Sequence, residues 1–281
     1  MGLAGEAQAP AFEKRRGTAA RCTNFIARVP EQRLVFGEDP HLYHRARPTY
    51  PSALIDEIVS LVGSSAHALD VGCGTGKATV LLAERGLTGV ALDADPAMAA
   101  VARLNLAGFP EWEVQVSDFE KWHPSPRTTF DLVTCAQAWH WLDPLSRLHK
   151  AHELLRPGGW LALWWNGAAP PNEMGYQINA IYTEITPEIA TKSETGFGRQ
   201  APNDDIPAGL SFAVPLERSY EWAKDYTPDE WVALLRTQSD HRLLPPERLD
   251  ELTARIRELI TANGGTYCHN YVCRLWAVQR L

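Results

Sequence analysis

The chain has 281 residues, 45% of them hydrophobic and 22% charged, which suits one large α/β domain with additions and argues against global disorder. A net charge of −7 argues against the basic surface that a nucleic-acid backbone requires. Five cysteines without CxxC spacing indicate neither a zinc site nor a disulfide framework, so reduced thiols in a cytoplasmic protein are expected. The N-terminus lacks an apolar signal core, and no stretch has the roughly 18 apolar residues of a membrane span.

Residues 1–10 are small, polar and aperiodic. A helix is expected over 11–36, with Lys14, Arg15 and Arg16 on its solvated face. Three prolines then interrupt FGEDPHLYHRARPTYP (36–51), which reads as a loop leading into the main domain. Residues 1–47 are thus expected to form a helical extension plus loop, and 48–281 the domain proper.

A regular alternation begins at Pro51. The pattern predicts helix Ser52–Val62, strand Ala66–Val71, a glycine turn, helix Thr75–Arg85, strand Thr88–Leu92 and helix Pro96–Ala107. Strands Glu113–Ser117 and Phe130–Ala136, helix Asp143–Leu155 and strand Trp160–Trp165 follow. Strands joined by crossover helices imply a mostly parallel sheet covered on both faces, with ligands beyond its carboxyl ends. After Asn166 the rhythm breaks. A turn at Ala168–Pro171, a helix Tyr176–Ile185, a loop Thr191–Ala208, a strand over 212–217, helices Pro228–Thr237 and Pro246–Thr261, and a strand Thr266–Val278 are expected. The stretch 168–245 reads as an insertion or lid.

The chemical signal lies in ALDVGCGTGKA, residues 68–78, where a strand ends in an acid and Gly72, Gly74, Thr75 and Gly76 form a turn before a helix. Glycines let a ligand approach the backbone closely, and the helix start offers free N–H groups. A phosphate-binding GxxxxGK[ST] loop fails here, because Val71 and Ala78 stand at its first Gly and its Ser/Thr. A dinucleotide GxGxxG is weakened by Lys77 at its third glycine. Asp70 either caps the following helix or contacts a ligand, and Cys73 reads as a small filler.

The Asp-x-Gly-x-Gly-x-Gly pattern resembles motif I of the class I S-adenosylmethionine-dependent methyltransferases, and the resemblance runs in order through residues 48–166. It implies a Rossmann-like, doubly wound, seven-stranded sheet and S-adenosylmethionine as cofactor, released as S-adenosylhomocysteine. It implies that Asp93, with Ala94 beside it, accepts hydrogen bonds from both ribose hydroxyls, which suits one carboxylate. By the same resemblance Asp118 takes the adenine amino group and the N–H of Phe119 meets the ring. FDLVTCAQAWHWLD (130–143), with Ala136 and Gln137, is similar to the segment after the fourth strand in the UbiE-like and trans-aconitate methyltransferase-like group. LLRPGGWL (154–161) resembles that group's helix-to-strand turn, with Gly158 and Gly159 at positive φ. YHRARPTYP (43–51) resembles its cofactor-closing segment, which brings Tyr43 to the cofactor.

His140 is either a general base or packing between Trp139 and Trp141; methyl transfer to a positioned acceptor also proceeds without a base. Trp164 and Trp165 point oppositely along one strand, so only one faces the pocket, and Trp165 is chosen. Trp139, Trp165 and His44 are the expected substrate contacts, with aromatic faces suited to a cation. The reading is methyl transfer to an O, N or C atom of a small acceptor, with no metal, nucleic acid or membrane, and compatible with a homo-oligomer. A non-catalytic cofactor- or metabolite-binding module and an NAD-dependent oxidoreductase are the alternatives.

Overall fold

Short apolar runs, too brief for helices, form strands buried on both faces, as a parallel sheet requires. The computed structural model describes residues 35–193, 206–207 and 209–281. The helix expected over 11–36 therefore lies, except for its last two residues, outside the described residues. The strands are β1 (His67–Val71), β2 (Thr88–Asp93), β3 (Trp112–Val116), β4 (Phe130–Ala136), β5 (Leu155–Ala168), β6 (Leu216–Tyr226) and β7 (Tyr267–Gln279). They make one seven-stranded sheet in the order β3-β2-β1-β4-β5-β7-β6. β1 to β5 are parallel, while β7 runs antiparallel between β5 and β6. The order reverses between β1 and β4, which opens a crevice beyond their carboxyl ends.

Helices α1 (Pro40–Ala46), α2 (Ser52–Val62), α3 (Lys77–Ala83), α4 (Pro96–Asn105) and α5 (Arg147–Leu154) precede or link the parallel strands. The remaining helices are α6 (Glu173–Ile185), α7 (Pro187–Ser193), α8 (Pro228–Arg236) and α9 (Pro246–Ala262). Side-chain alternation divides the core between the two faces of the sheet. On β5, Ala162 and Trp164 join Leu54 and Ile58 of α2, whereas Leu161, Leu163 and Trp165 join Phe130 and Leu148. A third cluster packs α6, α8 and α9 around Tyr226 and Tyr271 and caps one end of the crevice.

Several boundaries differ from the expected ones for identifiable reasons. The segment 36–51 is not simply loop. Val35–Glu38 forms a 3-10 turn and α1 follows, because Pro40 occupies the first helical turn, the Asp39 carboxylate caps Leu42 N at 2.8 Å, and Pro48 lies just past the end. The prolines flank the helix and do not interrupt it. Helix α3 begins at Lys77, not Thr75, because Gly76 sits at φ 80° and ends the turn. Helix α5 begins at Arg147, since the Asp143 carboxylate accepts from Leu145 N (3.2 Å) and Ser146 Oγ (2.6 Å) in a preceding turn. Only Gly158 has a positive φ, 78°. Gly159 is small for a different reason: a Cβ there would stand 3.0 Å from the Phe130 carbonyl oxygen.

The strand expected at 212–217 lies at 216–226, and Phe212 makes only an isolated bridge to Arg280. This edge strand is polar on its open side, with Tyr220, Trp222 and Tyr226 alternating on the covered side, so it lacks an apolar run. The stretch 168–245 consequently contributes a strand to the main sheet, and Pro187–Ser193 adds a short helix inside it.

Candidate active site

β1 delivers the chain to the crevice, where it turns through Gly72, Gly74 and Gly76. Gly72 lies at φ 67°, and a Cβ there would come within 2.6 Å of the Ala138 Cβ. The β1 turn and the β4 turn are therefore in backbone-close contact, and any side chain at 72 would force them apart. Gln137, next to that contact, holds φ 62°, a sparsely populated region for a non-glycine residue, and its Nε2 donates to the Asn166 carbonyl at 3.1 Å.

At the end of β2, Asp93 accepts from Gly74 N (2.7 Å) and from Asp95 N (2.8 Å), one on each oxygen. The carboxylate is thus fixed in orientation while each oxygen keeps a lone pair for the cleft. Burial, followed by the opposing pull of those two N–H groups, leaves its pKa pushed up to about 6. Asp118 follows β3, with its Oδ2 2.7 Å from Lys121 Nζ. Ala94, Phe119 and Ala136 also line the cleft, as do Tyr43 and Gln137. Phe36 packs edge-on to Tyr43 (5.7 Å) and Trp141 (6.1 Å), so the segment before α1 spans this side of the opening.

Asp70 borders the cleft but is fully buried and points inward. Its Oδ2 accepts from Thr79 Oγ1 at 2.5 Å and its Oδ1 from Thr134 Oγ1 at 2.9 Å. It neither caps α3 nor turns its carboxylate outward; it ties β1 to α3 and β4, and burial raises its pKa to about 6. Thr75 borders the cleft, but its polar atoms are engaged elsewhere. Its hydroxyl is 3.0 Å from His44 Nδ1, and its carbonyl accepts from Asn105 Nδ2 at 2.8 Å.

His44 is consequently not a substrate contact. It fastens α1 onto the glycine turn, outside the lining of the cleft. Trp139 and Trp165 are corrected in the same way. Both are core residues of the β4–β5 face, Trp139 with its ring under the Arg147 guanidinium at 5.3 Å. Trp164 does point opposite to Trp165, but into the other core cluster, so neither reaches the cleft. The tryptophans that do are Trp141 and, farther in, Trp231. His140, next to Trp141, stacks obliquely on it at 4.5 Å and stays open to solvent. Crowding by the cleft walls, then the Arg147 guanidinium, lowers the His140 pKa, so its imidazole is neutral and weakly basic.

The cleft has a volume of about 2500 Å³ and continues past the β1–β4 crevice into a chamber walled by α6, α8 and the start of β7. Sequence reading assigned nothing here. His269 lies on β7 with its ring 4.5 Å from Tyr271 and 4.8 Å from Trp231, and its Nδ1 is 2.9 Å from the Tyr267 hydroxyl. Burial pushes its pKa down to about 4. Tyr182 of α6 reaches His241, whose other ring nitrogen meets Asp240. The alternation of Tyr267, His269 and Tyr271 on one face of a strand was the signal available in the sequence.

An α/β sheet whose first two strands carry acids near their carboxyl ends around a glycine turn places a ligand site at the switch point between β1 and β4. Residues 69–163 match the family described as Methyltransferase domain. Over 230 residues the chain is 30% identical to an uncharacterized methyltransferase of Mycobacterium tuberculosis, covering 82% of this chain and 87% of that protein. It is 32% identical over 230 residues to an uncharacterized methyltransferase-like protein of Schizosaccharomyces pombe, covering 80% and 85%. A solved structure from Anaeromyxobacter dehalogenans, whose description names a type II methyltransferase, superposes with a TM-score of 0.54 at 23% identity, covering 82% of this chain and 97% of that one. That last likeness is one of fold. The chain belongs to the class I S-adenosylmethionine-dependent methyltransferases.

Proposed function

We propose that the β1–β4 crevice holds S-adenosylmethionine and that a small-molecule acceptor occupies the chamber beside α6 and β7. The observation that carries this reading is the Asp93 carboxylate, fixed by Gly74 N and Asp95 N with a free lone pair on each oxygen. Two lone pairs at that spacing fit two adjacent ribose hydroxyls. Asp118 and the Phe119 N–H would take the adenine, and Gly72, Gly74, Ala94, Ala136, Gln137 and Tyr43 would line the remainder. The Asp93 and Asp118 carboxylates fit hydroxyl and amino donors, and Lys77 at the third glycine position counts against a dinucleotide.

When bound, S-adenosylmethionine supplies an electrophilic methyl group on a sulfonium sulfur. The chain's own residues orient, screen and exclude water. Phe36, Tyr43 and Trp141 form an aromatic rim over the donor side. Small-molecule sites usually measure about 300–1000 Å³, so this cleft has room for both donor and acceptor. No helix among the described residues is long and apolar enough to cross a membrane. The acidic net charge supports a small acceptor over a nucleic acid, and the free thiols Cys73, Cys135, Cys268 and Cys273 support a reducing, cytoplasmic setting.

Calorimetric titration with S-adenosylhomocysteine, repeated with millimolar NADH present, tests the reading. Binding that NADH leaves unchanged is expected. Displacement by NADH, or no binding of S-adenosylhomocysteine, overturns it.

A further inference from the structure

Three histidines line the cleft among the described residues: His140, His241 and His269. Only His241 has a carboxylate behind it. Its Nδ1 lies 2.8 Å from Asp240 Oδ1, which also accepts the His241 backbone N–H at 2.9 Å. Its Nε2 lies 2.6 Å from the Tyr182 hydroxyl, on a helix 59 positions away in sequence. His241 is 2% exposed, and Tyr182 and His241 both border the cleft.

We propose that Tyr182, His241 and Asp240 form a proton relay, through which an acceptor bearing a hydroxyl or amine group sheds its proton as it is methylated. This rests on the methyltransferase reading above. It names Tyr182 as the catalytic residue that touches the acceptor, with His241 and Asp240 as positioning residues behind it.

The chemistry follows from the donors available. A carboxylate only accepts, so the proton on Nδ1 faces Asp240, and in the neutral ring Nε2 is left to accept from Tyr182. The phenol proton is then given to Nε2, and the phenol oxygen keeps lone pairs able to accept a proton. Burial would raise the Asp240 pKa, but its bonds to His241 hold it below the usual value, so the carboxylate is charged. Burial first, then Asp240 and Tyr267, raise the Tyr182 pKa well above the ordinary phenol range. Tyr182 therefore hands a proton on and does not store a negative charge.

The step balances as follows. The acceptor's lone pair forms the new bond to the methyl carbon as the carbon–sulfur bond breaks, and that bond's electron pair stays on sulfur as a neutral thioether. The acceptor's proton passes to Tyr182 Oη while the phenol's own proton passes to His241 Nε2. The imidazolium so formed is held by Asp240 until solvent takes its proton. A neutral His140, open to solvent and without a carboxylate, offers no comparable sink.

Two measurements on the full chain decide this. Long-range proton–nitrogen NMR of the histidine rings, in the complex with S-adenosylhomocysteine, is expected to show His241 protonated on Nδ1, with an Nε2 resonance that moves in Tyr182→Phe. This arm needs no acceptor. Turnover of S-adenosylmethionine with a panel of substituted phenols and primary amines is the second arm. In Tyr182→Phe and His241→Gln, kcat should fall about 10²–10⁴-fold. Acceptor KM and S-adenosylhomocysteine affinity should stay within about threefold, with the thermal midpoint confirming a folded variant. Asp240→Asn should shift the ring to the other tautomer and lose rate to a smaller extent.

The relay is overturned by protonation on Nε2 in the wild-type protein, by Tyr182→Phe turning over at the wild-type rate, or by methylation confined to carboxylates and thiolates that carry no proton. Failure of the wild type to bind S-adenosylhomocysteine would instead remove the methyltransferase reading itself.

Discussion

The two halves of the cleft are built by different means. The donor half rises from the carboxyl ends of β1, β2 and β3: Asp70 lies near the end of β1, Asp93 ends β2, and Asp118 stands just past β3. The acceptor half gathers Tyr182 from α6, His241 from a 3-10 turn and His269 from β7, elements that meet only through the third core cluster. The first is a geometry that successive strand, turn and helix units dictate locally, whereas the second exists only once the chain has folded. Substitutions in the two halves should therefore separate into losses of cofactor affinity and losses of turnover.

The largest expected effect belongs to neither half but to the core behind them. Trp139→Ala removes a ring that is 1% exposed and should cost about 3–5 kcal/mol of stability in urea unfolding. Its folded fraction should bind S-adenosylhomocysteine nearly as the wild type does. An intact stability with lost affinity would return Trp139 to the ligand.

Next in size is the buried carboxylate behind the donor half. Thr134→Val leaves Asp70 without one of its two donors and should cost about 1–3 kcal/mol. Asp70 also sets a pH dependence. Its folded pKa, about 6, lies above the ordinary carboxyl value of 3.8, so the folded chain holds the proton more tightly. That contribution to stability is full below pH 3.8 and is lost as pH rises through about 6. Unfolding measured between pH 4.5 and 7.5 should show a shallower fall in Asp70→Asn than in the wild type. An unchanged slope would mean that Asp70 carries no such shift.

Smaller again is His44→Ala, which frees the glycine turn from α1. The loss of its hydrogen bonding to Thr75 and Asn105 should cost about 0.5–1.5 kcal/mol, read as a lower thermal midpoint. A fall in kcat without any change in midpoint would restore His44 to the substrate side. The smallest effect is expected from His140→Ala, whose kcat should change less than about threefold if Tyr182 takes the proton. A loss of 10²-fold or more would transfer the base from the relay to His140.

Legibility in the sequence followed the same division. The alternation of apolar runs and amphipathic helices made the parallel sheet and most of its elements readable, because each strand's burial is written in its own residues. Asp93 and Asp118 were singled out by the motif resemblance, in register with the glycine turn, since an acid at a strand end is by itself an ordinary loop residue. Period-two alternation on β5 separated Trp164 from Trp165, yet it does not say where a cleft lies when both faces of a sheet are covered, and both rings proved to be core. His44 was misplaced because the prolines around it were read as breaks; one starts the helix that turns His44 toward Thr75. Edge strand β6 was displaced because a strand covered on one side only carries charges on the other. Tyr182 and His241 were invisible, as nothing local connects residues 59 positions apart.

The measurement that tests the account most directly is calorimetric titration of S-adenosylhomocysteine into the wild type, Asp93→Ala and Tyr182→Phe, at pH 7.5 and pH 5.5. Asp93→Ala removes a charged acceptor of two hydrogen bonds and should lose about 2–4 kcal/mol of affinity, roughly 30- to 1000-fold. Tyr182→Phe should bind within about threefold of wild type. Because the Asp93 pKa is raised to about 6, the acid is protonated below that value, and wild-type affinity should fall at pH 5.5 while that of Asp93→Ala stays flat. Equal losses in both variants, or an unchanged constant in a folded Asp93→Ala, would contradict the division of the cleft into a donor half and an acceptor half.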